Sequence, residues 1–239
     1  MIGDDDAAMI ELLGVGAPRE DGGWLLHRVC ARFRRGEIAV VVSRDPDERR
    51  ALLDAITGRM VPEEGRVWVN RLPVARDTVR RIRGLVTDAD LRGEIVARRS
   101  LLWNVLVAGR GGRHALHGLL RLPRKSEREA AMRALDRVGL GARLMETADR
   151  LGPAELARLV VASALAKSPE FLVVREIDFG SSEHTAIRGV LETLAHQDRL
   201  AIVIGAASTD VAPGLADRLI VIDDGLLRYD GPPGPVLKN

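Results

Sequence analysis

Glu37-Ile38-Ala39-Val40-Val41-Val42-Ser43-Arg44-Asp45-Pro46-Asp47-Glu48-Arg49-Arg50-Ala51-Leu52-Leu53-Asp54-Ala55-Ile56-Thr57-Gly58 decides how the rest of the chain is read. A β-branched apolar run over 37-42 enters a polar loop at Ser43. A helical period then runs over 48-57, and Gly58 supplies a stop. A buried strand that hands the chain to a helix through a short loop is the repeating unit of a parallel sheet covered on both faces. Asp45, Asp47 and Glu48 stand where carboxylates favour the positive end of a helix dipole, which accounts for them as the beginning of a helix and nothing more.

Outward from this unit the pattern repeats. Runs rich in Val and Ile at 170-174, 200-205 and 218-222 read as further buried strands, and 126-138, 153-167 and 182-197 read as helices between them. Ser126 with Glu129 has the form of a capping box, Pro153 suits a first helical position after Gly152, and Gly139 with Gly141 ends the helix before them. The segment Gly65-Arg66-Val67-Trp68-Val69-Asn70 reads as a strand entering a turn. With 9-13 it predicts an antiparallel β-subdomain, its strands at about 7-36 and 65-87. A helical subdomain is expected over about 96-152, and the core over about 37-64 and 153-239, all within one α/β domain spanning 1-239.

Composition narrows the function classes. The 36 Lys and Arg are nearly balanced by 34 Asp and Glu, and opposite signs are interspersed, so a basic stripe for nucleic acid is not expected. The single cysteine, Cys30, permits no internal disulfide and reads as a buried thiol in a reducing compartment. The first ten residues are acidic where a secretory signal is basic, so a cytoplasmic start is expected, and no apolar run reaches the roughly 18 residues needed to cross a bilayer. The five histidines are dispersed and suggest neither a metal cluster nor a base.

The opening unit, with Pro62-Glu63-Glu64-Gly65-Arg66-Val67 after it and Arg35-Gly36-Glu37 before it, resembles the start of ABC transporter ATP-binding subunits. Ala216-Asp217-Arg218-Leu219-Ile220-Val221, Asp224-Gly225 and Asp230-Gly231-Pro232-Pro233 are similar to the family's last two strands. Asn104-Val105-Leu106-Val107-Ala108-Gly109-Arg110, on through Ser126 to Leu151, most resembles the phosphonate-type importers. The resemblance implies the ABC-type ATPase fold: a central, mostly parallel sheet with flanking helices, an antiparallel β-subdomain and a helical subdomain.

Against that family's pattern the functional positions are altered. A phosphate loop needs glycines whose N–H groups converge on phosphate, a lysine, and a hydroxyl for magnesium. The matching stretch Ser43-Arg44-Asp45-Pro46-Asp47-Glu48-Arg49-Arg50 has no glycine; Arg49 stands at the lysine position and Arg50 at the hydroxyl position. After strand 170-174 the magnesium aspartate corresponds to Arg175, which cannot coordinate a metal, and the general-base position holds Glu176. A salt bridge from Arg175 to a nearby carboxylate is the plainer reading. The signature matches Leu151-Gly152-Pro153-Ala154-Glu155, the magnesium-sensing glutamine corresponds to Asp88, the switch histidine to Ala207, and the aspartate loop to Gly180-Ser181-Ser182-Glu183. Trp24 lies near where an aromatic would stack on adenine, or is simply packed.

The legible scaffold beside altered motifs predicts a non-catalytic relative, whose fold is needed and whose hydrolysis is not. Since the family builds each composite site from one subunit's phosphate loop and another's signature, even an intact partner would leave neither site complete. The expectation is a structural, adaptor or regulatory subunit that docks on a membrane permease or another ABC-type subunit, peripheral to the membrane's inner face through that partner. It inserts in no membrane, binds no nucleic acid, needs no cofactor or metal, and leaves oligomerisation open. Two alternatives stand beside it: a residual ATP-binding subunit using ATP and magnesium through Arg49 and Glu176, and a metal-free anion-binding module using Arg44, Arg49, Arg50 and Arg175.

Overall fold

The computed structural model describes residues 10-89, 95-110, 122-175 and 184-234. Two sheets organise them. β1 (Ile10–Pro18), β2 (Trp24–Phe33), β4 (Glu64–Val69) and β5 (Leu72–Pro73) form an antiparallel sheet in the order β2-β1-β4-β5. β3 (Ile38–Val42), β6 (Val86–Ala89), β7 (Phe171–Val174), β8 (Ala201–Ala206), β9 (Arg218–Asp223) and β10 (Leu226–Gly231) form the second, in the order β10-β9-β3-β8-β7-β6. All neighbours in it are parallel except β9 and β10. This is the mixed α/β architecture that the sequence predicts.

The central strands are apolar on both sides because both faces are covered. Ile38, Val40 and Val42 pack into one core with α3 (Leu101–Gly109), α4 (Lys125–Arg137), α5 (Pro153–Leu165) and α6 (His184–Glu192). Ala39 and Val41 face the other core, where Leu52, Leu53 and Ile56 of α1 (Pro46–Thr57) meet Ile10, Leu12 and Val67 of the antiparallel sheet. α1 is thus held between the two sheets. Gly58 closes it in the left-handed region at φ 68°, as its position in the sequence suggests.

Several local expectations change. The span 65-87 contains a tight turn at Asn70 and Arg71, both at positive φ, then α2 (Val79–Leu85), and β6 belongs to the second sheet. The helix expected from Ser126 begins at Lys125. Its first turn is capped by Glu127, which accepts the Arg124 backbone N–H at 2.8 Å, so Ser126 and Glu129 are not the capping pair. Gly139 does end that helix: its N–H reaches Asp136 O and the Leu140 N–H reaches Leu135 O, a Schellman closure. Cys30 is exposed, not buried, because Val29 and Ala31 take the inward positions on β2. No helix among the described residues is long and apolar enough to cross a membrane.

Candidate functional site

The parallel strands end on one edge of the second sheet, and their carboxyl ends deliver the candidate residues there, where open α/β sheets place ligands. β3 runs into Ser43, β6 carries Asp88, β7 is followed by Arg175 and β8 by Ala207. Close approach at this edge depends on Gly205. A Cβ there would lie 2.5 Å from the Arg175 carbonyl oxygen and 2.9 Å from Leu53 Cδ1.

The loop after β3 closes on itself. Asp45 is the N-cap of α1, accepting the Asp47 N–H at 2.8 Å, and Pro46 occupies the first turn, where a missing N–H costs nothing. Glu48 turns inward and is 2% exposed. The Ser43 hydroxyl donates to it at 2.7 Å and the Gly225 N–H at 2.8 Å. Arg49, 7% exposed, donates to the Ser43 carbonyl oxygen. Arg19, in the turn after β1, pairs with Asp45 at 2.6 Å and stands 3.9 Å from Glu48. The Arg19 guanidinium, as hydrogen-bond donor, holds the Asp45 carboxyl below the ordinary aspartate range. Arg50 and Asp47 are exposed, 3.8 Å apart.

The second cluster forms around Arg175, whose side chain is 15% exposed. Its Nη2 donates to Asp54 Oδ1 at 2.6 Å and to Asp88 Oδ2 at 3.2 Å, and Arg59 reaches the same Asp88 oxygen at 2.6 Å. The plainer reading of Arg175, an ion pair, is what the geometry contains. Burial pushes the Asp88 carboxyl above the ordinary aspartate range, against the pull of Arg175 and Arg59. Asp88 therefore serves as an arginine partner.

The signature-like stretch is a helix start. Leu151 is buried, Gly152 is the N-cap, Pro153 is the first residue of α5, Ala154 is half-buried, and Glu155 accepts the Gly152 N–H at 3.1 Å. Arg143 also binds Glu155, and pairs with Glu146 at 2.9 Å. Ala207 is exposed beside Ser208, which caps the next short turn. Trp24 leans on His27 with ring centroids 4.9 Å apart and covers Gly16. Trp24 and His27, with Arg19, Asp224 and Leu226, line an open groove of about 420 Å³.

Ser43, Asp45, Glu48 and Arg49 are thus brought together, as are Asp88 and Arg175. The four arginines of the anion-binding alternative do not converge: Arg44 and Arg50 are exposed, Arg49 lies on the Ser43 carbonyl, and Arg175 is taken by two carboxylates. Arg19, Asp54, Arg59 and Gly225 were not singled out from the sequence. The one signal was Asp54, a carboxylate inside the apolar run 51-56, which needs a cationic partner if partly buried. Glu176 and 180-183 lie outside the described residues, and no group of metal-binding side chains occurs among the described ones.

No family model matches the chain. It is similar to the Phosphonates import ATP-binding protein PhnC 1 of Trichodesmium erythraeum (strain IMS101), 26% identical over 240 residues covering 97% of this chain and 93% of the relative. PhnC 3 of Nostoc sp. is 28% identical over 236 residues, 93% and 86% of the two chains. The Phosphite import ATP-binding protein PxtA of Stutzerimonas stutzeri is 26% identical over 204 residues, 84% and 74%. Among solved structures, cbiO1 from Clostridium perfringens, part of the ABC transporter complex cbiONQ, superposes with a TM-score of 0.81 at 18% identity, over 96% of this chain and 90% of that one. The ADP conformation of MJ1267, an ATP-binding cassette of an ABC transporter, gives 0.81 at 16% identity, over 95% and 91%.

Proposed function

We propose that this chain, which belongs to the ABC transporter nucleotide-binding-domain family, is a non-hydrolysing structural, adaptor or regulatory subunit of a phosphonate-type transport complex. The observation that carries the reading is the Arg175 cluster. A magnesium site needs oxygen ligands with free lone pairs, and here a guanidinium stands between the Asp54 and Asp88 carboxylates. The loop after β3 agrees with it. Glycine N–H groups that would face phosphate are replaced by a capped helix start, with Asp45 and Glu48 drawing the nearby donors to themselves. Magnesium nucleotide does not fit either set of residues.

The phosphonate connection rests on the relatives' names and on the extent of the alignment. A permease or an ABC-type subunit is the partner we propose, met by the helical part of the chain. Support comes from Val96 and Met145, exposed apolar side chains on strands of backbone joined by the Asp149 N–H to Ala97 O and Leu101 N–H to Glu146 O bonds. A cytoplasmic position at the membrane's inner face follows from such a partner.

Calorimetric titration with magnesium ATP, repeated without metal, tests the reading. The expected result is no binding in either condition. Micromolar, magnesium-dependent binding would overturn it and restore the residual-ATPase alternative with Glu176 as base. Co-purification with a permease or cassette subunit is the expected companion result, and its absence would remove the docking role.

A further inference from the structure

Glu48 is a buried carboxylate whose oxygens are met by donors from separate segments of the chain. The Ser43 hydroxyl accepts the Asp45 N–H at 3.1 Å, which commits its own proton to Glu48 Oε2 at 2.7 Å. On the other side the Gly225 N–H meets Oε1 at 2.8 Å, with the Arg19 guanidinium 3.9 Å from the same oxygen. The Gly225 donor is fixed in direction. Its peptide is in the left-handed region at φ 72°, its carbonyl takes the His27 N–H at 2.7 Å, and a Cβ would fall 2.8 Å from the Trp24 carbonyl oxygen. A hydroxyl and a backbone N–H that meet the two oxygens of one carboxylate, beside a guanidinium that Asp45 holds at 2.6 Å, are the components of a small-oxyanion cradle.

We infer that this cradle is an anion site which the chain fills with its own Glu48 carboxylate. The side chain that would repel an external anion is also the anion that satisfies the donors. This deepens the proposed function, on which it rests: nucleotide is excluded by occupancy, and the donors are retained. Removing the carboxylate therefore exposes a site for a monocarboxylate or an orthophosphate, the classes whose oxygens match one hydroxyl and one N–H.

The test is Glu48→Ala, titrated calorimetrically with sodium formate and with orthophosphate at matched ionic strength, beside the wild-type chain. Saturable uptake of one anion per chain by the variant, at least tenfold stronger than by wild type and reduced again in the Glu48→Ala, Ser43→Ala double variant, is the expected result. A folded Glu48→Ala that takes up neither anion better than wild type overturns the inference. If Glu48→Ala does not fold in chloride, refolding in sodium formate decides: recovery in formate alone supports the internal occupant, and equal failure in both salts overturns it. Magnesium ATP binding by the wild-type chain would instead sink the proposed function, so the two failures are distinguishable.

Discussion

Arg175→Ala removes the cation shared by Asp54 and Asp88. Breaking a fully buried ion pair by deleting one partner costs about 3–5 kcal/mol, because the remaining charge is left uncompensated. Here the Asp54 side chain is 23% exposed and Asp88, at 10%, keeps Arg59 at 2.6 Å. The loss should therefore fall lower, at about 2–3 kcal/mol, which for a chain of this size lowers Tm by roughly 4–12 °C. Urea unfolding at pH 7 measures it. The pH dependence separates lost charge from lost packing. Without Arg175 the folded Asp88 carboxyl rises further above its unfolded value. Stability is then fully present below the unfolded pKa, about 4, and is lost as pH rises through the folded one. The deficit relative to wild type should accordingly begin above about pH 4 and grow as pH rises toward the raised folded value. A deficit under about 1 kcal/mol, or one that is flat with pH, would refute the claim that Arg175 neutralises this cluster.

Arg19→Ala should alter the acid limb. Asp45 has a depressed folded pKa, so its pairing contributes stability present above about pH 4 and lost as pH falls through the folded value; wild type and variant should converge in stability below pH 4, read by thermal melts across pH. Gly205→Ala forces a Cβ against the Arg175 carbonyl and should cost about 1–3 kcal/mol in urea unfolding. Leu52→Ala, in the core between the sheets, should cost about 2–5 kcal/mol by the same assay. Arg175→Asp places a third carboxylate beside Asp54 and Asp88; its Tm should fall below that of Arg175→Ala and recover in magnesium or calcium chloride but not in sodium chloride of equal ionic strength.

How much the sequence discloses depends on the range over which each feature is decided. Strand runs such as 38-42 and 171-174 are legible because both faces are buried, so every side chain reports the environment. Helix ends at Gly58 and Gly139 are legible because a left-handed residue is demanded locally. The start of α4 is less so: both Glu127 and Glu129 lie near it, and with Arg124 as the N-cap it is Glu127, three residues on, that accepts the cap N–H. Site partners are chosen by the fold. Arg19 is 26 residues from Asp45, Asp54 is 121 from Arg175, and Gly225 is 177 from Glu48. No spacing rule reaches across such separations, so the sequence offers the charges at 48 and 175 without their counterparts.

Those counterparts give positions 48 and 175 a common logic. In isolation, a carboxylate at 48 and a guanidinium at 175 would each be a buried charge costing several kcal/mol. Glu48 is tolerated because hydroxyl and N–H donors already face it, and Arg175 because two carboxylates already do. One places an anion where donors converge, the other a cation where carboxylates converge, and each is satisfied from within the chain. It also follows that changing one position alone leaves the other charge in place, so each substitution should be felt at its own cluster and not at the other.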